Sequence, residues 1–202
     1  KVHRGWSLVP LAGSYPGGEE NTCGSDIGAK AMLVWSPTEG RYIGGTKAQL
    51  ESRDNEATMI LQRDREAKYY YAQDLVFAVF VYRDGPECSY TTRIVRKADI
   101  REEELEKQLP QYKIVRGWNF IMLHPWMLGK SFSEFVGTCE ITQAFLFDAQ
   151  RQKWEGGSVI KSDLDNAFVT EEHIGRIYAF KFANDCHFAL KIPTLVPPPL
   201  PE

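Results

Sequence analysis

Four cysteines and four histidines are the residues of this 202-residue chain best suited to chemistry, and their spacing limits what they can do. Cys23, Cys88, Cys139 and Cys186 form no Cys-x-x-Cys, and His3, His124, His173 and His187 share no short metal-ligand spacing. Cys186 and His187 are neighbours and invite comparison with a nucleophile and its base. On a strand, however, consecutive side chains point to opposite faces, which is a poor arrangement for proton transfer. "TEEH" at Thr170 to His173 sets two carboxylates beside an imidazole and reads as a solvated turn. "SDLDN" at Ser162 to Asn166 alternates acids as calcium loops do, but it lacks the glycine and the distal glutamate of an EF-hand. There is no phosphate-cradling glycine loop and no Gly-x-Ser-x-Gly elbow. The sequence therefore predicts no catalytic residue, no metal and no cofactor. An enzymatic site between two halves of the chain would need clustered ionisable groups, which the sequence does not display.

Aromatic residues are the remaining candidates for contact with a ligand or partner. Trp35 and Trp154 fall on expected hairpins, where one ring of each pair can face outward. Tyr69, Tyr70 and Tyr71 form a run inside a charged stretch, and Trp126 stands in "HPWML". Trp6 and Trp118 each follow a glycine at the start of a strand, the position of a core plug. Aromatic rings exposed on a β-face would stack on sugar rings, which makes a glycan the ligand to consider beside a protein partner.

The elements that must position these residues come in two similar sets. An offset of 112 aligns Gly5 with Gly117 and sets "RGWSLVPL" on "RGWNFIML". It also sets Leu33-Val34-Trp35-Ser36 on Phe145-Leu146-Phe147-Asp148, Arg41-Tyr42 on Lys153-Trp154, and Gly44-Gly45 on Gly156-Gly157. Identity is sparse, but glycine meets glycine and aromatic meets aromatic without gaps, the mark of an internal duplication. Each unit reads as a strand after the glycine and then a hairpin. The hairpin turn is "SPTEGR" in the first unit and Asp148 to Gln152 in the second. A closing hairpin follows, "LVFAVFVYRDGPECSYTTR" with its turn at Asp84-Gly85, or "RIYAFKFANDCHFALK". "SFSEFVG" at Ser131 to Gly137 reads as a brief helix.

The predicted fold is mainly β: a tandem duplication of two antiparallel β-sandwich or open-barrel domains with a short connecting helix. The first domain spans 1–93 and carries a charged excursion over 46–74. A helical connector, capped by Asp99, covers 94–111, the second domain spans 112–192, and a proline-rich tail occupies 193–202. With 43% hydrophobic and 12% aromatic residues the chain is expected to bury cores. A net charge of −3 excludes a global attraction to nucleic acid or anionic lipid, and no run approaches a membrane span. The start at Lys1 without Met is expected of a processed or trimmed chain whose export signal has been removed.

The order glycine-Trp-Asn-apolar, short helix, Cys, hairpin with a second Trp, aromatic strand and second Cys resembles the GWN-type β-repeat of bacterial exported and cell-surface proteins. Gly117, Trp118, Asn119, Cys139, Trp154, Tyr178 and Cys186 occupy its marked positions. In the first unit Gly5, Trp6, Tyr42 and Cys88 fit, Ser7 replaces Asn, and Cys23 lies four residues early. The resemblance implies a non-catalytic surface, adhesive or filament-building module.

Four cysteines allow three pairings, and the duplication selects Cys23–Cys88 and Cys139–Cys186, one bridge per unit. The competing reading is four unpaired buried thiols. Bridges persist in an oxidising compartment, so the pairing is also an expectation about location, namely extracellular or cell-surface. The function expected is an extracellular structural or adhesive subunit of a surface layer, pilus-like filament or appendage, with protein partners that include copies of itself. A carbohydrate-binding module is the alternative. A virion structural protein is a further one, which free thiols would favour.

Overall fold

The computed structural model describes residues 1–11, 22–23, 28–50, 77–89, 103, 107, 109 and 113–190. Tyr69, Tyr70 and Tyr71, most of the 46–74 excursion and the 193–202 tail lie outside the described residues. So does the 94–111 connector, apart from Glu103, Lys107 and Leu109.

Two four-stranded antiparallel sheets form the protein. In the first, β1 (Gly5–Leu11), β4 (Phe77–Arg83), β2 (Ala31–Ser36) and β3 (Arg41–Thr46) lie side by side in that order. In the second, β6 (Gly117–Met122), β9 (Ile177–Phe182), β7 (Ile141–Asp148) and β8 (Lys153–Ser158) repeat the order strand for strand. The sheets are open and do not close into a barrel. They face each other in a sandwich-like pair across a shared apolar layer. Trp6, Leu8, Leu33, Trp35 and Phe80 supply the first sheet's side of it, and Trp118, Phe120, Met122, Phe145, Phe147, Ile177 and Ala179 the second's. Each sheet also covers an outer face. Val9, Val34, Val79 and Val81 pack against Val2 and the Cys23–Cys88 bridge. Ile121, Ile141, Phe180 and Phe182 pack against Trp126, Met127, Phe135, Phe188 and the Cys139–Cys186 bridge. Strands β4 and β9, each flanked on both sides, supply buried side chains to both the shared layer and an outer core.

The two halves agree in local detail as well as in strand order. Gly5 and Gly117 adopt φ of 91° and 98°, a conformation open to glycine and strained for other residues. The third residue of each motif is a buried latch to the backbone four residues earlier. Ser7 Oγ accepts the His3 N–H at 2.9 Å, and Asn119 Nδ2 donates to the Val115 carbonyl at 2.7 Å. In the hairpin turns, Ser36 Oγ accepts the Glu39 N–H at 3.1 Å and Asp148 Oδ1 accepts the Arg151 N–H at 2.9 Å. The backbone N–H groups of Arg151 and Gln150, both donating to Oδ1, hold the Asp148 carboxyl below the usual carboxylate range. At the next turn position Gly40 has φ 63° and Gln152 has φ 55°, the latter the one non-glycine at positive φ among the described residues.

The closing hairpins differ from expectation. After β9 the chain turns, but β10 (Cys186–His187) pairs with β5 (Lys113–Ile114) rather than folding back on β9. In the first half Cys88 makes the matching bridge to Val2. The reason is that β9 already has β6 and β7 on its two edges, so no edge is left for a hairpin partner. Both disulfides are present as the duplication selects them, each with Cα atoms 5.0 Å apart. Each ties the segment leading into the hairpin to the short ladder before the glycine-Trp motif. Where the second half buries Phe182 the first buries Arg83, whose guanidinium lies against the sulfurs of Cys23 and Cys88.

Smaller elements follow their caps. Ser131 opens a 3-10 turn over Phe132–Glu134, and Glu134 accepts its N–H at 2.6 Å. α1 (Lys47–Leu50) continues β3, and α2 (Lys161–Asn166) occupies the "SDLDN" stretch. No helix among the described residues is long and apolar enough to cross a membrane.

Candidate functional site: an aromatic cleft between the sheets

The shared layer is not filled everywhere. A cleft of about 310 Å³ opens between the sheets, walled by Trp35 and Tyr42 on one side and by Trp118, Phe120, Phe145, Trp154 and Ala179 on the other. Its origin lies in one row of cross-strand neighbours. In the second sheet the row runs Phe120, Ala179, Phe145, Gly156, and in the first it runs Leu8, Phe80, Leu33, Gly44. The two rows are equivalent, yet a methyl group stands at Ala179 where the other sheet has the Phe80 ring. The phenyl group missing at Ala179 leaves the hollow.

The walls are tied to each other. Trp35 donates its indole N–H to the Trp118 carbonyl at 2.8 Å, from one sheet to the other. Its ring meets Tyr42 edge-on at 5.0 Å and Phe120 at 6.2 Å. Trp154 packs on Phe147, Phe80 and Phe120 with centroids 5.2, 5.8 and 5.9 Å away. Tyr42 and Trp154 form the rim and remain 42% and 37% exposed. The Lys181 ammonium sits 5.8 Å from the Trp118 ring centroid, a cation–π contact. Besides the indole N–H groups of its three tryptophans, of which that of Trp35 is engaged, the polar group of the lining is the Tyr42 hydroxyl. Burial raises its pKa above the ordinary phenol value, so it is a neutral donor at physiological pH.

The structure thus brings together two of the aromatic candidates, Trp35 and Trp154, and adds Tyr42 and Trp118. Trp126 lies elsewhere. It is 4% exposed and edge-on to Phe135 in the outer core of the second sheet. The signal for Tyr42 was its alignment with Trp154. The signal for Ala179 was absent, because a small residue in an aromatic strand reads as filler.

A second, polar groove of about 680 Å³ runs beside β1 and is lined in part by His3, Ser7, Asp148, Glu155, Glu172 and Arg176. Its histidine is engaged, with Nδ1 3.0 Å from Glu87, a carboxylate that also holds Lys1. His173 Nδ1 accepts the Thr170 N–H at 3.1 Å and so completes a turn. Cys186 is bridged and cannot serve His187 as a nucleophile. Among the described residues no three His, Cys, Asp or Glu side chains are grouped to hold a metal.

Fold and site define a class: a mainly β, disulfide-bridged protein of two like sheets with an open aromatic cleft between them. Comparison of the chain with protein-family models, with curated proteins and with solved structures gives no match.

Proposed function

We propose that this protein is a non-catalytic binding module of the cell exterior, a structural or adhesive subunit of a surface layer, pilus-like filament or appendage that works by holding protein. The observation that carries this reading is the cleft: aromatic, open to solvent and lined by no charged side chain. Such a surface gains its binding energy by removing apolar area from water, which suits an apolar segment of a protein partner. Two disulfides indicate an oxidising environment and so support an exported chain. The resemblance to GWN-type repeats points the same way, and the buried Ser7 and Asn119 latches give that motif a structural purpose. The virion reading loses the condition that favoured it, since no cysteine is free.

Carbohydrate binding is favoured by one observation, the exposed rings of Tyr42 and Trp154 at the rim. A sugar also needs hydrogen-bonding groups around those rings, and the lining supplies one hydroxyl and indole N–H groups but no carboxylate or amide side chain. Titrating the protein with neutral oligosaccharides and with short apolar peptides, while following tryptophan fluorescence, separates the two. Quenching by peptides supports the proposal. Quenching by glycans alone, lost in Trp154→Ala, would replace it.

A further inference from the structure

We propose that the cleft receives the proline-rich segment 192–202 of a second copy of this chain, an inference that rests on the protein-binding reading above. The segment reads "IPTLVPPPLPE", with five prolines and one charge, at Glu202. Proline at this density favours the polyproline II helix, which has no internal hydrogen bonds and is extended before it binds. Grooves lined by aromatic rings recognise such segments, because proline rings pack on the aromatic faces at little cost in ordering. The cleft offers Trp35, Tyr42, Trp118 and Trp154 for that purpose. A polyproline II backbone also presents unpaired carbonyls. The Tyr42 hydroxyl, kept neutral at the rim, is placed to donate to one of them. Lys181 beside Trp118 supplies the charge complement to Glu202.

The position of Leu190 favours a second copy over the same molecule. Leu190 packs against the outer core of the second sheet, whereas the cleft lies on the inner face of that sheet. The chain's own cleft is thus on the far side of the sheet from the last described residue, while a neighbour's cleft carries no such constraint. Because the segment and the cleft are different surfaces, the contact is heterologous and repeats from copy to copy into an open chain or a ring.

The test is sedimentation velocity of the full chain over a wide concentration series, with three variants. The expected result is mass that rises with concentration. Association should weaken about tenfold or more in a chain carrying Pro197→Ser, Pro198→Ser and Pro199→Ser, and likewise in Ala179→Phe, which fills the hollow. Tyr42→Phe, a change at the exposed rim that leaves the packing intact, should weaken it by a smaller factor and reads the cleft if Ala179→Phe fails to fold. Mixing the proline variant with a cleft variant should restore a dimer and nothing larger, since one intact cleft then meets one intact tail. A chain that stays monomeric at every concentration overturns the proposal. A monomer in which the proline variant alone shifts tryptophan emission overturns it in favour of docking within one chain. Association indifferent to the proline variant also overturns it, while protein binding as the function would stand.

Discussion

Gln152 grips the backbone of Trp6 with both atoms of its amide. Oε1 accepts the Trp6 N–H at 2.8 Å and Nε2 donates to the Trp6 carbonyl at 2.7 Å. Trp6 lies on β1, the edge strand of one sheet, and Gln152 on a turn of the other. The side chain therefore occupies the place a further strand would take and caps part of an exposed edge. It does so from a positive φ, which costs a non-glycine residue about 1 kcal/mol.

Removing the clamp separates these effects. Gln152→Ala keeps the strained backbone and loses both hydrogen bonds to Trp6 and the one from Nε2 to the Ala149 carbonyl, and should cost about 1–2 kcal/mol in a urea melt. Gln152→Gly relieves the strain and should fall closer to the parent. Equal stability of Gln152→Ala and parent would show that the clamp contributes nothing.

Gly44 and Gly156 meet the same obstacle in the two sheets. A Cβ on either would stand 2.1 Å from a backbone oxygen, that of Met32 or Ala144, and both residues have φ near 140°. Gly44→Ala and Gly156→Ala should each destabilise by about 2 kcal/mol or more. Gly157→Ala, with open space at its Cβ, should change stability by about 0.5 kcal/mol or less, and thermal melts of the three compare them directly.

The disulfides close separations of 65 and 47 residues. On the chain-entropy model each contributes about 4 kcal/mol. Paired Cys139→Ser and Cys186→Ser substitutions, or Cys23→Ser with Cys88→Ser, should lower stability by that order. A denaturation midpoint unmoved by reductant would contradict it.

His124 sets an acid limit. It is 2% exposed, neither ring nitrogen has a hydrogen-bond partner, and burial lowers its pKa to about 4. As pH falls below about 6.5 the unfolded chain takes up this proton first, so stability is whole above that value and declines toward pH 4. The loss attributable to His124 is about 3 kcal/mol over that window. Urea midpoints measured across it should slope for the parent and flatten for His124→Met.

Much of this architecture was legible because it is local or repeated. The hairpins β2–β3 and β7–β8 announce themselves through "SPTEGR" and Asp148 to Gln152, and the offset that aligns Gly5 with Gly117 also pairs the cysteines correctly. What escaped is non-local. Asp84-Gly85 and the turn after Phe182 look like hairpin turns, yet Cys88 and Cys186 join Val2 and Ile114 from far away in the chain. Trp126 has no counterpart in the first unit, so the repeat could not place it, and the outer core closes over it. The cleft depends on what stands at residue 179 relative to residue 80, a comparison that requires the strand register.

That difference between Phe80 and Ala179 means that two halves alike in strand order are not interchangeable. One brings a phenyl ring to the shared layer and the other a methyl group, so of two like units one lends the layer its bulk and the other its opening.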